Sequence, residues 1–141
     1  MPIFLIAILV LALGAVIVGY WRQRRRSRTI IGVVQSGHGF GKELGAHTAN
    51  LDLALAGALA PGLYDCDVMV NEEIHRGLLY YGFNSLTGKD CLEAHLLDFE
   101  GDIYGKQITV TTRRYLHGIK RFATAAALRE QIGRDLQRAE K

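Results

Sequence analysis

Cysteine is scarce in this chain: Cys66 and Cys91 are the only two. They show neither a Cys-x-x-Cys pattern nor metal-site spacing, which excludes a cysteine-bound metal and a Cys-x-x-Cys redox centre. In a cytoplasmic domain both thiols are expected to be reduced and mostly buried. A disulfide would need the opposite topology. The five histidines, His38, His47, His75, His95 and His117, are scattered without the ligand spacing of a transition metal. Each is expected as a polar surface or loop residue. There is no internal repeat and no low-complexity segment. A basic surplus is also missing from most of the chain. Seventeen Lys and Arg stand against fourteen Asp and Glu, but five of the arginines lie between Arg22 and Arg28. The remainder is slightly acidic and offers no basic face to nucleic acid. No protein partner can be inferred.

What is present first is an uncharged run. Ile3 to Tyr20 is almost wholly Ile, Leu, Val, Ala and Phe. Eighteen residues of helix rise about 27 Å, close to the ~30 Å hydrocarbon thickness of a bilayer. Tyr20 and Trp21 close the run as interfacial aromatics would, and Arg22, Arg24, Arg25, Arg26 and Arg28 follow. A signal peptide carries its positive charge before the apolar core. This order therefore reads as an uncleaved, single-pass anchor with the N-terminus outside and the rest cytoplasmic. Membrane lipid would be met through residues 3–28, with the arginines among anionic headgroups. The expected organisation is a transmembrane anchor over 1–21, a basic juxtamembrane linker over 22–28 and a folded domain over 29–141.

That domain reads as short strands between turn signals: residues 29–36, 48–55, 63–70, 74–81, 91–99 and 106–115. In 63–70 the alternation sets Tyr64, Cys66, Val68 and Val70 against Leu63, Asp65, Asp67 and Met69. Asn71-Glu72-Glu73 reads as a hairpin turn, and residues 82–90 as a polar loop. Thr124 is a helix N-cap, followed by Leu128, Ile132, Leu136 and Ala139 at helical spacing. Many short strands and one terminal helix predict a mostly β domain, a small antiparallel barrel with a helix packed against it. Periodicity alone does not separate a barrel from a sandwich.

Two stretches carry candidate chemistry. In the first, Gly37, Gly39, Gly41 and Gly45 make a glycine-dense loop that ends on Thr48-Ala49-Asn50. Such a loop can turn sharply and bring backbone N–H groups to a phosphate, although a plain surface loop has the same composition. It is neither a Walker loop nor the dinucleotide fingerprint. Thr48 and Asn50, at i and i+2, share one side of a strand and offer two neutral oxygens to a hard cation such as Mg²⁺. In the second stretch, alternation places Glu93 on one face with Cys91, His95, Leu97 and Phe99. A carboxylate on so apolar a face is either a general base or a solvated rim residue.

Gly32 to Leu51 resembles the signature of the riboflavin kinase (flavokinase) family, with Lys42, Leu44, Gly45, Thr48, Ala49 and Asn50 on its pattern. The likeness continues through Pro61-Gly62-Leu63-Tyr64, Glu93-Ala94-His95-Leu96-Leu97-Asp98-Phe99, Asp102-Ile103-Tyr104-Gly105 and Lys120-Arg121-Phe122, covering about residues 30–140. The resemblance implies a six-stranded antiparallel, Greek-key-like β-barrel with a C-terminal helix. It also implies transfer of the ATP γ-phosphate to the ribityl 5′-hydroxyl of riboflavin, giving FMN and ADP. Glu93 then falls on the catalytic base. Gly37, Gly39, Gly41, Lys42, Thr48 and Asn50 fall on the nucleotide and phosphate site, with Thr48 and Asn50 on Mg²⁺. The flavin-binding residues are not assigned. Bacterial members often carry an adenylyltransferase domain before the kinase; here the anchor takes that place, so FAD synthesis is not expected. The chain departs from the pattern at His47, where the family has proline, and at His117-Gly118, where it has an arginine. The alternative reading is a flavin- or nucleotide-binding module at the membrane whose chemistry those two changes have weakened.

Overall fold

The structure is a computed structural model that describes residues 2–37, 47–85 and 87–139. It opens with helix α1, Pro2–Arg25. The segment Ile3–Arg22 is long and apolar enough to cross a bilayer, and none of it is buried against the rest of the chain. A helix apolar on all sides and uncovered by protein suits lipid better than water. The helix continues through the first arginines, and two of the three residues after it are pinned. Ser27 Oγ donates to the Thr112 carbonyl at 2.7 Å, and the Arg28 N–H donates to Thr112 Oγ1 at 2.8 Å. The Thr112 N–H in turn donates to the Arg28 carbonyl at 2.8 Å.

Six strands follow: β1 Thr29–Val33, β2 His47–Leu51, β3 Gly62–Val70, β4 Glu73–Asn84, β5 Lys89–Leu96 and β6 Gln107–His117. They form one antiparallel sheet in the order β1-β6-β3-β4-β5-β2. The run β6-β3-β4-β5 has the Greek-key order, in which the last strand returns beside the first of a meander. Among the described residues the two edges approach through one bridge, Gln35 to Asn50, so the sheet is a half-barrel. Between β2 and β3 lies a 3-10 turn, Leu53–Ala56, capped by the Asp52 carboxylate, where the sequence alone predicts further strand. The loop expected from residue 82 gives way to strand: β4 runs on to Asn84 and β5 begins at Lys89. Gly82 keeps β4 in register at a φ of 136°, and a side chain there would strike Ile119.

Alternation builds the core. Tyr64, Cys66, Val68 and Val70 of β3 meet Leu79 of β4, Leu92, Ala94 and Leu96 of β5, and Ile108 and Val110 of β6 inside the half-barrel. Outside it, Leu63 and Leu78 form a second cluster with Tyr80 and Leu116. Helix α2, Ala125–Ala139, starts at the Thr124 cap and packs on β4. Polar bonds hold it: His117 Nε2 lies 3.0 Å from Asp135 Oδ2, Gln131 donates to Asp135 Oδ1 at 3.0 Å, and Arg114 donates to the Arg138 carbonyl at 3.1 Å.

Candidate active site

The outer face of the β2–β5–β4 ladder gathers the chemistry. In register, Thr48 opposes His95, Asn50 opposes Glu93, and Glu93 in turn opposes Tyr80. Residues directly opposite in an antiparallel pair project to the same side with Cβ atoms about 5 Å apart. Thr48, Asn50 and Glu93 are thus neighbours although Glu93 lies 43 positions after Asn50 in the chain. The Glu93 carboxylate is about four-fifths covered.

Gly37 joins them. The Gln35 N–H donates to the Asn50 carbonyl at 2.8 Å, which lays the start of the glycine loop over β2. A Cβ at Gly37 would overlap the Asn50 side-chain amide. Only glycine permits that approach, so the loop starts against the oxygen and nitrogen of Asn50. Gly39, Gly41 and Lys42 lie outside the described residues.

His95 is the residue that sequence reasoning missed. Expected at the surface, it is 8% exposed, and its Nδ1 lies 3.0 Å from Thr48 Oγ1. Its Nε2 faces Glu93 Oε2 at 4.0 Å. Burial lowers its proton affinity, with the Glu93 charge acting the other way. The available signal was its i+2 spacing from Glu93; what it touches depended on pairing with a strand far away in sequence.

The surroundings are partly desolvated. Burial pushes the Cys91 thiol up to about 12, helped by the Glu93 charge and a hydrogen bond to it. Burial likewise pushes Tyr80 up to about 12, and its hydroxyl donates to the Phe83 carbonyl at 2.5 Å. Leu97 and Phe99, expected on this face, are not part of it. The strand ends at Leu96, Asp98 takes a left-handed φ of 48°, and Phe99 swings onto the barrel core. There it meets the rings of His47 and His75 edge-on, at 5.6 and 5.0 Å. His47 therefore points away from Thr48 and Asn50. His117 is bonded to Asp135 and helps hold the helix. Arg113 and Arg114 are engaged by Asp67 and Asp65.

Among the described residues, no group of three His, Cys, Asp or Glu is placed to hold a metal. The donors that do converge, a hydroxyl, an amide and a nearby carboxylate, are hard oxygen ligands of the kind Mg²⁺ accepts while keeping several waters.

A Greek-key half-barrel with the start of a glycine-rich stretch laid over a Thr-x-Asn strand, and a glutamate on the next strand, defines a flavokinase-type domain. The sequence model described as "Flavokinase: Riboflavin kinase" matches residues 24–141, so the chain belongs to the riboflavin kinase family. It is 34% identical over 110 residues to the RNA-binding riboflavin kinase RibR of Bacillus subtilis, covering 76% of this chain and 47% of that protein. It is also 34% identical over 113 residues to the bifunctional riboflavin kinase/FMN adenylyltransferase of Pseudomonas fluorescens, covering 78% of this chain and 36% of that one. The chain thus spans less than half the length of these curated relatives. Among solved structures, a protein described as a macrolide-efflux protein from Streptococcus pneumoniae superposes with a TM-score of 0.68 at 26% identity, over 80% of this chain and 38% of that one. The riboflavin kinase of Trypanosoma brucei superposes with a TM-score of 0.57 at 18% identity, over 82% and 78%; at that identity the likeness is one of fold.

Proposed function

We propose that this protein phosphorylates riboflavin to FMN with ATP and Mg²⁺, from a domain tethered to the membrane by α1. One observation carries the reading: Thr48, Asn50 and Glu93 stand in register on one face, beneath the start of the glycine loop. Phosphoryl transfer asks for positioning and charge neutralisation more than for covalent chemistry. Glu93 is a carboxylate in a mostly covered site, suited to orient the ribityl 5′-hydroxyl and take its proton as the phosphate bond forms. Thr48 and Asn50 would hold Mg²⁺, which when bound neutralises phosphate charge. Gly37, Gly39 and Gly41 would present backbone N–H groups to the phosphates, with Lys42 beside them. His47 meets the Phe99 ring and His117 is bonded to Asp135 of the helix, so neither side chain is directed at Thr48, Asn50 or Glu93.

The tether rests on the composition and exposure of α1 and on the arginines that follow it. With positive charge on the inner side, the domain would lie in the cytoplasm, where ATP is supplied.

The test is FMN formation by the full chain in detergent micelles, given riboflavin, ATP and Mg²⁺, with each omitted in turn. FMN that appears only with all three supports the kinase. Flavin or nucleotide binding without FMN would move the protein to the binding-module reading.

A further inference from the structure

His95 touches both halves of the proposed machinery, with Thr48 Oγ1 3.0 Å from Nδ1 and Glu93 Oε2 4.0 Å from Nε2. A neutral imidazole carries one N–H and one lone pair, and what surrounds the ring decides which nitrogen has which. The carboxylate on the Nε2 side attracts the proton there. At 4.0 Å this is attraction across a gap and not a hydrogen bond. The opposite tautomer would point a nitrogen lone pair at the carboxylate oxygen inside a covered site. With the proton on Nε2, Nδ1 is an acceptor, and the Thr48 hydroxyl is the group that donates to it.

That assignment constrains Thr48. A hydroxyl has one proton and two lone pairs. With its proton committed to His95, Thr48 can accept but cannot donate. An acceptor-only oxygen suits a cation and is useless to a phosphate oxygen, which needs a donor. We propose that His95 is a positioning residue: as the Nε2–H tautomer it fixes Thr48 as an oxygen ligand for a divalent cation and prevents it from serving as a phosphate donor. The inference rests on the phosphotransfer reading for the identity of the cation. The tautomer itself stands on the geometry alone. The ring has little freedom to turn, being buried on β5 with Leu78 of β4 opposite it.

The experiment uses the full chain in micelles, labelled with ¹⁵N-histidine. Two-bond ¹⁵N–¹H correlation reads the tautomer of His95, assigned by the signals lost in His95→Asn. The expected result is a neutral ring protonated at Nε2. Calorimetry of ADP binding with and without Mg²⁺ is the second readout. In the wild type Mg²⁺ should tighten ADP binding. His95→Leu should lose that Mg²⁺-dependent gain by about ten-fold or more, as second-shell substitutions at metal sites do. His95→Asn, whose amide can still accept from Thr48, should keep most of it. In the FMN assay, His95→Leu should raise the Mg²⁺ requirement and leave the riboflavin KM unchanged. An Nδ1–H ring would overturn the proposal. So would a His95→Leu protein that binds Mg²⁺ and ADP as the wild type does, or one that weakens for riboflavin and Mg²⁺ in equal proportion. A wild-type protein that makes no FMN would sink the kinase reading, while the tautomer and the Mg²⁺-dependent ADP measurement would still decide the role of His95.

Discussion

Asn50 stands directly across from Glu93 in the β2–β5 ladder, amide beside carboxylate, with Gly37 pressed against the amide. This contact ties the start of the glycine loop to the sheet. Asn50→Ala should lower kcat/KM for ATP by about 10–100-fold with riboflavin binding kept, the scale of losing a metal-site ligand or its support. Gly37→Ala should reproduce that loss, because its methyl group displaces the Asn50 side chain. In the Asn50→Ala background the same Gly37→Ala change should cost little, a strongly non-additive cycle. Steady-state kinetics of the four proteins checks it.

The β3–β4 hairpin turns through two left-handed residues, Asn71 at a φ of 49° and Glu72 at 69°. Asparagine tolerates that region; glutamate is strained there by about 1 kcal/mol. Glu72→Gly should therefore stabilise the protein by roughly 0.5–1 kcal/mol, net of the backbone entropy that glycine adds to the unfolded chain. Thermal denaturation should show a rise in Tm of a few degrees.

Cys66 is fully buried in the barrel, and burial pushes its thiol well above the usual range, with Asp65 and Asp67 adding to the effect. The folded state keeps a proton that the unfolded chain gives up above about pH 8.5. The contribution of Cys66 is thus fully present below that pH and is lost as pH rises, by up to about 1.4 kcal/mol per unit. Cys91 and Tyr80 act in the same direction. Denaturant titrations between pH 8 and pH 10 should show falling stability, with a shallower slope in Cys66→Ala even though its stability at neutral pH is lower.

Helix α1 carries no charge between Ile3 and Tyr20. Leu9→Arg together with Leu13→Arg should cost about 5–7 kcal/mol of insertion free energy. Carbonate extraction of a membrane fraction should leave the wild type in the pellet and release the double variant. Release of both would remove the tether.

Much of the fold was legible because its strands follow a clean period of two. The alternation of Tyr64, Cys66, Val68 and Val70, the turn at Asn71, the cap at Thr124 and the shared side of Thr48 and Asn50 all need only local rules. What stayed hidden depended on a distant partner or on a broken rule. The burial of His95 comes from pairing with Thr48, 47 residues earlier. The bond from His117 to Asp135 forms only when the helix folds back on the sheet. Phe99 left the face predicted for it because the left-handed turn at Asp98 interrupts the alternation on which that prediction depends.

The central claim is that Glu93 takes the proton of the flavin hydroxyl, and Glu93→Gln tests it most directly. The amide keeps the size of the side chain and removes the base. FMN formation by the variant should fall by about 10²–10⁴-fold while riboflavin and ADP still bind as they do to the wild type. A Glu93→Gln protein that turns over at close to the wild-type rate would show that the proton goes elsewhere, and the site would have to be assigned anew.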